Sequence, residues 1–150
     1  MSETTRTAIV TGAARGIGAA VAKRFAADGM NVAVLDLDEA ACQQVADEIT
    51  AAGGEAIVDG SDITDEAAVE AMVSTVMEKW GRIDILINNA GLVAQTRSET
   101  VDGFETTLGT NLLGPFALTN LLLGRIRSQI INVGSDAHRS ATLRLDDMHL

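Results

Sequence analysis

A parallel β-sheet with helices packed on both faces is predicted by three features of this chain. Short apolar runs of strand length alternate without a break with segments of helical periodicity. Glycines punctuate the joints, at Gly29, Gly53-Gly54 and Gly81. A glycine-rich turn, Thr11 to Gly18, joins the first apolar run to the first helical one. Strands that alternate with helices at this spacing belong to an α/β sheet joined by right-handed crossovers.

Thr7–Val10 is the first strand and Ile17–Asp28 its helix, with Ile17, Val21 and Phe25 on one face. Asn31–Leu35 is the second strand. Asp38 is placed to cap the following helix, which runs to about Ala52 and stops at Gly53-Gly54. Cys42, Val45 and Ile49 mark the buried face of that helix. Glu55–Val58 is a short third strand. Asp65 to Trp80 is helical, with Val69, Met72, Val73 and Val76 on one face, and Gly81 closes it. Ile83–Ile87 is the fourth strand, a long helical stretch spans about Val101 to Leu123, and Gln129–Val133 is the fifth strand. The tail after Ser135 has no clear period.

The bulk properties narrow the function. A chain of 150 residues suits one domain, 1–150, with a core of its own. A net charge of −10 disfavours nucleic acid and anionic membrane surfaces as partners. The single cysteine, Cys42, excludes an internal disulfide and reads as core filler. The apolar runs are too short to span a bilayer, and the first six residues lack the apolar core of a secretory signal. A cytoplasmic setting is the expectation.

The glycine turn carries the chemistry. Gly12 takes a backbone conformation that a side chain would forbid, Gly16 leaves room for a diphosphate, and Gly18 lets the helix pack close to the strand. The helix start offers free N–H groups and a positive dipole end to that anion. An acidic residue about 20 positions on, at the end of the second strand, completes the pattern. Asp36 is that residue. Its carboxylate suits the two hydroxyls of an adenine-side ribose and would repel a 2′-phosphate, which predicts NAD over NADP. Arg15, inside the turn, is the one cation that argues the other way. Capping of the next helix is the alternative role for Asp36.

The spacing Gly-x-x-x-Gly-x-Gly at Gly12, Gly16 and Gly18 resembles the cofactor motif of the short-chain dehydrogenase/reductase family. The resemblance runs from about Thr7 to the end of the chain. It implies a Rossmann-type sheet in the order 3-2-1-4-5 and cofactor contacts from Gly12, Arg15, Gly16, Ile17 and Gly18. It carries to Asp62, with Ile63 beside it, a contact to the adenine amino group; a turn or N-cap role is the alternative. Asn88-Asn89-Ala90-Gly91 matches a second family motif, with Asn89, Ala90 and Gly91 at the cofactor floor and Asn88 as structural support.

Asn111 precedes Pro115, the only proline, by four residues. Proline has no N–H, so the Asn111 carbonyl loses its helical partner and becomes a water-binding point. The family uses the main chain of an asparagine at this place to hold a water in a proton relay; a kink that serves packing alone is the alternative. Ser135 matches the family serine that bonds the substrate carbonyl oxygen. Family members also commonly pair through the long helix, so a homo-oligomer is expected, with Leu108, Leu112, Leu118, Leu121 and Leu122 serving core and partner.

The pattern breaks at the acid/base. The family uses a tyrosine with a lysine four residues later, whereas this sequence has no tyrosine and its last lysine is Lys79. The position where the tyrosine often falls is Met148, and the lysine would fall beyond Leu150. The first 90 or so residues resemble ketoacyl-carrier-protein reductases and Thr100–Leu150 the retinol-dehydrogenase-like branch, whose gap before the tyrosine is longer. A chain cut before the catalytic helix, a form that never had one, and a chain recombined near Gly91 are the readings open at this point. His138 and His149, with Asp146-Asp147 between them, fit no metal motif. The expected function is an NAD-dependent oxidoreductase of a small alcohol or carbonyl substrate, incomplete in this chain. A cofactor-binding module without turnover is the alternative. Another nucleotide-binding protein of this fold, such as a methyltransferase, is disfavoured by the Asn-Asn-Ala-Gly motif and Asn111.

Overall fold

The computed structural model describes residues 5–140. His149, Asp146, Asp147 and Met148 lie outside the described residues. The elements follow in the order β1 (Thr7–Thr11), α1 (Gly16–Ala27), β2 (Asn31–Leu35), α2 (Glu39–Ala51), β3 (Glu55–Asp59), α3 (Glu66–Trp80) and β4 (Ile83–Asn88). After a long connection come α4 (Thr106–Leu108), a π-helical turn (Gly109–Leu113), α5 (Gly114–Leu122), β5 (Ile126–Asn132) and a 3₁₀ turn (Asp136–Ser140). The five strands form one parallel sheet in the order β3-β2-β1-β4-β5, as expected. The chain thus reverses direction across the sheet between β1 and β4, which is where α/β folds place their ligands.

Two apolar layers enclose the sheet. On one face Val10, Val32, Val34 and Ile87 pack against α1 and α2, and on the other Ile9, Leu35, Ile83 and Leu86 pack against α3 and α5. The α1 face differs from its expected one. Its buried residues are Gly18, Ala19, Ala22 and Ala26, while Ile17 is 63% exposed and Val21 and Phe25 sit at the margin of the core. Small residues let α1 approach β1 and β2 closely, and the larger side chains are displaced to its flank. Asp38 caps α2 by accepting from the Ala41 N–H at 3.0 Å, and Asp65 caps α3 through the N–H groups of Ala67 and Ala68.

Two predicted boundaries move. The stretch expected to be helical from Val101 begins at Thr106, because Glu105 rather than Val101 caps it, accepting from Thr107 N and Leu108 N at 2.9 and 2.8 Å. Residues 98–105 form a closed loop instead, held by Thr106 N–H on the Ser98 carbonyl and Thr100 N–H on the Phe104 carbonyl. Within the helical stretch Pro115 stands in the first turn of α5, and the turn before it widens so that Gly114 N–H reaches the Gly109 carbonyl five residues back. The fifth strand begins at Ile126, three residues before the apolar run that predicts it, and carries an irregularity where Ile83 pairs with Ile126 but Ile85 with Gln129.

Candidate cofactor-binding site

A cleft of about 620 Å³ opens at the carboxyl ends of β1 to β4. Its floor is the glycine turn, and the three glycines are required for different reasons. Gly12 has φ +62, and a Cβ there would lie 2.8 Å from Ala90 Cα. Gly16 has φ +53 with open space above it. At Gly18 a Cβ would fall 2.2 Å from the Gly12 carbonyl oxygen and 2.6 Å from Asn89 Nδ2. The first two need the left-handed conformation, and the third needs the close approach of helix to strand.

The turn is tied to the end of β4 by polar contacts. Thr11 Oγ1 donates to the Ile87 carbonyl at 3.1 Å and accepts from Asn89 N and Ala90 N, both at 3.0 Å. Asn89 Nδ2 donates to the carbonyls of Thr11 and Gly12, each at 3.1 Å. The sequence by itself assigns Thr11 no role separate from the glycine turn. Its one signal is a small hydroxyl residue at the end of a buried strand, directly before the first glycine.

Asp36 stands half-buried on the cleft wall beyond β2. Its Oδ1 accepts from Asp38 N at 3.2 Å and its Oδ2 lies 3.4 Å from Ala14 N, so one oxygen holds the strand end and the other faces the glycine turn. Arg15 forms an ion pair with Asp38. The Ala41 N–H first, and the Arg15 guanidinium second, hold the Asp38 carboxyl below its ordinary value. Asp62 Oδ1 accepts from Thr64 N and Thr64 Oγ1 at 2.9 and 2.7 Å, which makes the turn before α3 while Asp62 and Ile63 line the cleft. Ala90 and Gly91 line the opposite wall with Leu92.

The start of α1 differs from the starts of α2, α3 and α4. Each of those three is capped by an acidic side chain, whereas Arg15 at the N-cap of α1 makes no side-chain cap and no acidic residue occupies the first turn. The first N–H groups and the positive dipole end of α1 face the cleft with no capping side chain and no acidic residue in the first turn.

Asn88 lies away from the cleft. Buried to 4% exposure, it donates from Nδ2 to Thr119 Oγ1 at 2.9 Å and to Asn132 Oδ1 at 2.8 Å, joining β4, α5 and β5. The Asn111 side chain clamps the main chain of Leu92: Oδ1 accepts from Leu92 N at 2.8 Å, and Nδ2 donates to Leu92 O at 2.7 Å. The role expected of Asn111 lies in its main chain, and nothing in the sequence indicates this side-chain contact across 19 residues. Ser135 is exposed, three residues past the end of β5, and its Oγ accepts from Ala137 N at 3.1 Å. It is not part of the cleft lining, whose last residue in chain order is Thr110. Cys42 is buried on the inner face of α2; burial first, then the nearby carboxylates, push its thiol up to about 12, so it is inert at neutral pH. Among the described residues no group of three His, Cys, Asp or Glu side chains is placed to hold a metal ion, and no helix is long and apolar enough to cross a membrane.

Comparison with known proteins agrees with this geometry. Residues 6–144 match the family model described as short chain dehydrogenase. The polyprenol dehydrogenase of Mus musculus is 38% identical over 96% of this chain and 46% of its own length. The retinol dehydrogenase 12 of Bos taurus is 35% identical over 93% of this chain and 46% of its own length. Among solved structures, a 7α-hydroxysteroid dehydrogenase complexed with NADH and 7-oxo glycochenodeoxycholic acid superimposes with a TM-score of 0.80 at 30% identity, covering 96% of this chain and 58% of that one. The chain spans about half the length of the curated relatives it matches.

Proposed function

Since this chain belongs to the short-chain dehydrogenase family, we propose that its cleft is the NAD site of an oxidoreductase that acts on an alcohol or carbonyl. The observation that carries the choice of NAD is Asp36. A carboxylate on the wall beside the glycine turn accepts ribose hydroxyls and repels a 2′-phosphate. Arg15, the one cation in the turn, is paired with Asp38. The NADH in the similar hydroxysteroid dehydrogenase supports a nicotinamide cofactor as the occupant. Bound NAD supplies the hydride acceptor or donor. The residues of this chain would hold it: the start of α1 the diphosphate, Asp36 the ribose, and Asp62 with Ile63 the adenine. Calorimetric titration with NAD and NADP tests the choice. Tighter NAD binding is expected, and Asp36→Ala should narrow the difference; equal or tighter NADP binding would contradict it.

Turnover is a separate matter. Hydride transfer to a carbonyl leaves an alkoxide that must gain a proton, and a positioned acid/base contributes about 10²–10⁴-fold to that step. The 150 residues contain no tyrosine and no lysine after Lys79. A serine hydroxyl without an activating neighbour is a very poor acid, so Ser135 does not replace them. This chain by itself is therefore a single dinucleotide-binding domain without turnover. The assay is NADH consumption over a panel of aldehydes, ketones and quinones, and clear turnover that survives His138→Ala and repurification would refute that part. A homo-oligomer in the cytoplasm completes the proposal. Leu118 and Leu122 of α5 are spent on the core, whereas Leu112 and Phe116 point outward at 56% and 68% exposure and are the residues offered to a second copy.

A further inference from the structure

We infer that the chain carries a further binding site, for a small oxyanion with two or more charged groups, at the amino-terminal edge of its sheet. All strands of a parallel sheet start at one edge, so the order β3-β2-β1-β4-β5 gathers there segments that are far apart in sequence. Thr5 precedes β1, Asn31 opens β2, Arg82 precedes β4, and Arg127 is the second residue of β5. With Lys79 and Trp80 from the end of α3 they line a concavity of about 390 Å³. It lies at the opposite edge of the sheet from the cleft above the glycine turn.

Three of the chain's 11 basic residues meet in this lining, and none of its 21 acidic ones does. On a chain of net charge −10, a patch assembled without selection would be acidic. The cations are held in place. Arg82 donates from Nε and Nη2 to the two carboxylate oxygens of Asp84 at 2.8 and 2.6 Å, which fixes the guanidinium plane. Lys79 Nζ lies 5.2 Å from the centre of the Trp80 ring and 3.5 Å from Glu55 Oε2. Burial opposes the charge of Asp84, while Arg82, the Thr7 N–H and then Arg127 favour it, so Arg127 stands within electrostatic reach of the same cluster.

The signs leave room for an anion. Asp84 and Glu55 balance two of the three cations, so one positive charge remains. The carbonyl end of α3 opposes it with about half an elementary charge, which the remaining cation exceeds. Guanidinium forks and an ammonium are donors suited to phosphate and carboxylate oxygens, and Thr5 and Asn31 bring further polar side chains. A single ion pair at such an exposed place is worth little, so a ligand needs at least two anionic groups to bind. The volume is at the small end of the range for ligand cavities, which suits a small molecule.

The experiment titrates the intact 150-residue chain with pyrophosphate and, separately, with citrate, at constant ionic strength. Calorimetry and Trp80 fluorescence are the readouts. Trp80 is the only tryptophan, so its emission reports on this edge rather than on the glycine turn. A saturable change with a dissociation constant below about 1 mM is expected for at least one of the two. Pyrophosphate alone assigns a phosphate-type ligand, and citrate alone a carboxylate-type one. Arg127→Gln, at an exposed position, should weaken binding by about tenfold or more. Glu55→Gln removes the carboxylate that competes for Lys79 and should tighten binding about two- to fivefold. No response to about 10 mM of either anion overturns the inference. So does heat without a Trp80 response, which places the anion elsewhere, and so does binding that both variants leave unchanged.

Discussion

Residues 7–90 and 91–140 use the same alternation of strand and helix to different ends. In the first region every residue of β1 and β4 is buried, helices cover both faces of β1, and the glycine turn is locked by Thr11 and Asn89. In the second region β5 has no fully buried residue. Ile131 and Val133 meet Ile17, Val21 and Phe25 in an open apolar groove on the α1 side. Packing is what holds a site's geometry, and the cofactor recognition proposed above falls in the closed region. The open region contributes two buried leucines, Leu118 and Leu122, and the Asn111 clamp on Leu92.

Glycine substitution should break the contrast most sharply. Gly18→Val drives a side chain into the Gly12 carbonyl and Asn89, and should cost upwards of about 3 kcal/mol and abolish NAD binding. Gly134→Val meets open space and should change stability by less than about 0.5 kcal/mol. Thermal unfolding of both variants is the measurement, and similar losses would erase the distinction. Core truncation sharpens it next. Leu86→Ala, at 0% exposure, should cost about 2–5 kcal/mol in urea melts. Ile131→Ala, at 40% exposure, should cost less than about 1 kcal/mol.

A buried carboxylate at the other end of the sheet gives a pH-dependent test of the closed region. Asp84 accepts from the Thr7 N–H at 2.8 Å and is paired with Arg82. Burial opposes its charge, but the Arg82 guanidinium and the Thr7 N–H outweigh burial and hold its carboxyl below the ordinary 3.8. A lowered folded value stabilises the fold above the unfolded value, and that contribution is lost as pH falls through the folded value. Asp84→Asn should therefore cost about 2 kcal/mol at neutral pH. The gap to the parent should shrink as both are titrated below about pH 4. Urea midpoints across that range measure it, and a gap independent of pH would contradict the role given to the charge.

The smallest effect on stability belongs to the outward face of the second region. Phe116→Ser should change unfolding by less than about 0.5 kcal/mol. It should nevertheless shift sedimentation toward the monomer at micromolar protein concentration. A parent chain that is already monomeric would remove the proposed association.

The closed region is also the one whose sequence is most legible. Its strands are unbroken apolar runs, and its helices end at glycines with positive φ, at Gly29, Gly53 and Gly81. In the second region the start of β5, Ile126-Arg127-Ser128, has no apolar run and is a strand because it pairs with β4. The loop 98–105 resembles a helix in periodicity but is closed by Thr100 and capped by Glu105. At the site, the glycines, Asp36 and the Asn-Asn-Ala-Gly motif are local signals. The Thr11 lock and the Asn111 clamp join residues 78 and 19 positions apart, and such contacts are set by the fold.

Amide hydrogen exchange of the whole chain, with and without saturating NAD, tests the division most directly. Cofactor recognition held in the first region predicts added protection at Gly12–Gly18, Leu35–Asp38, Ser61–Thr64 and Asn89–Leu92, with β5 and Gly134–Ser140 unchanged. Protection gained across β5 and the residues after it, to the same degree as in the glycine turn, would contradict the account.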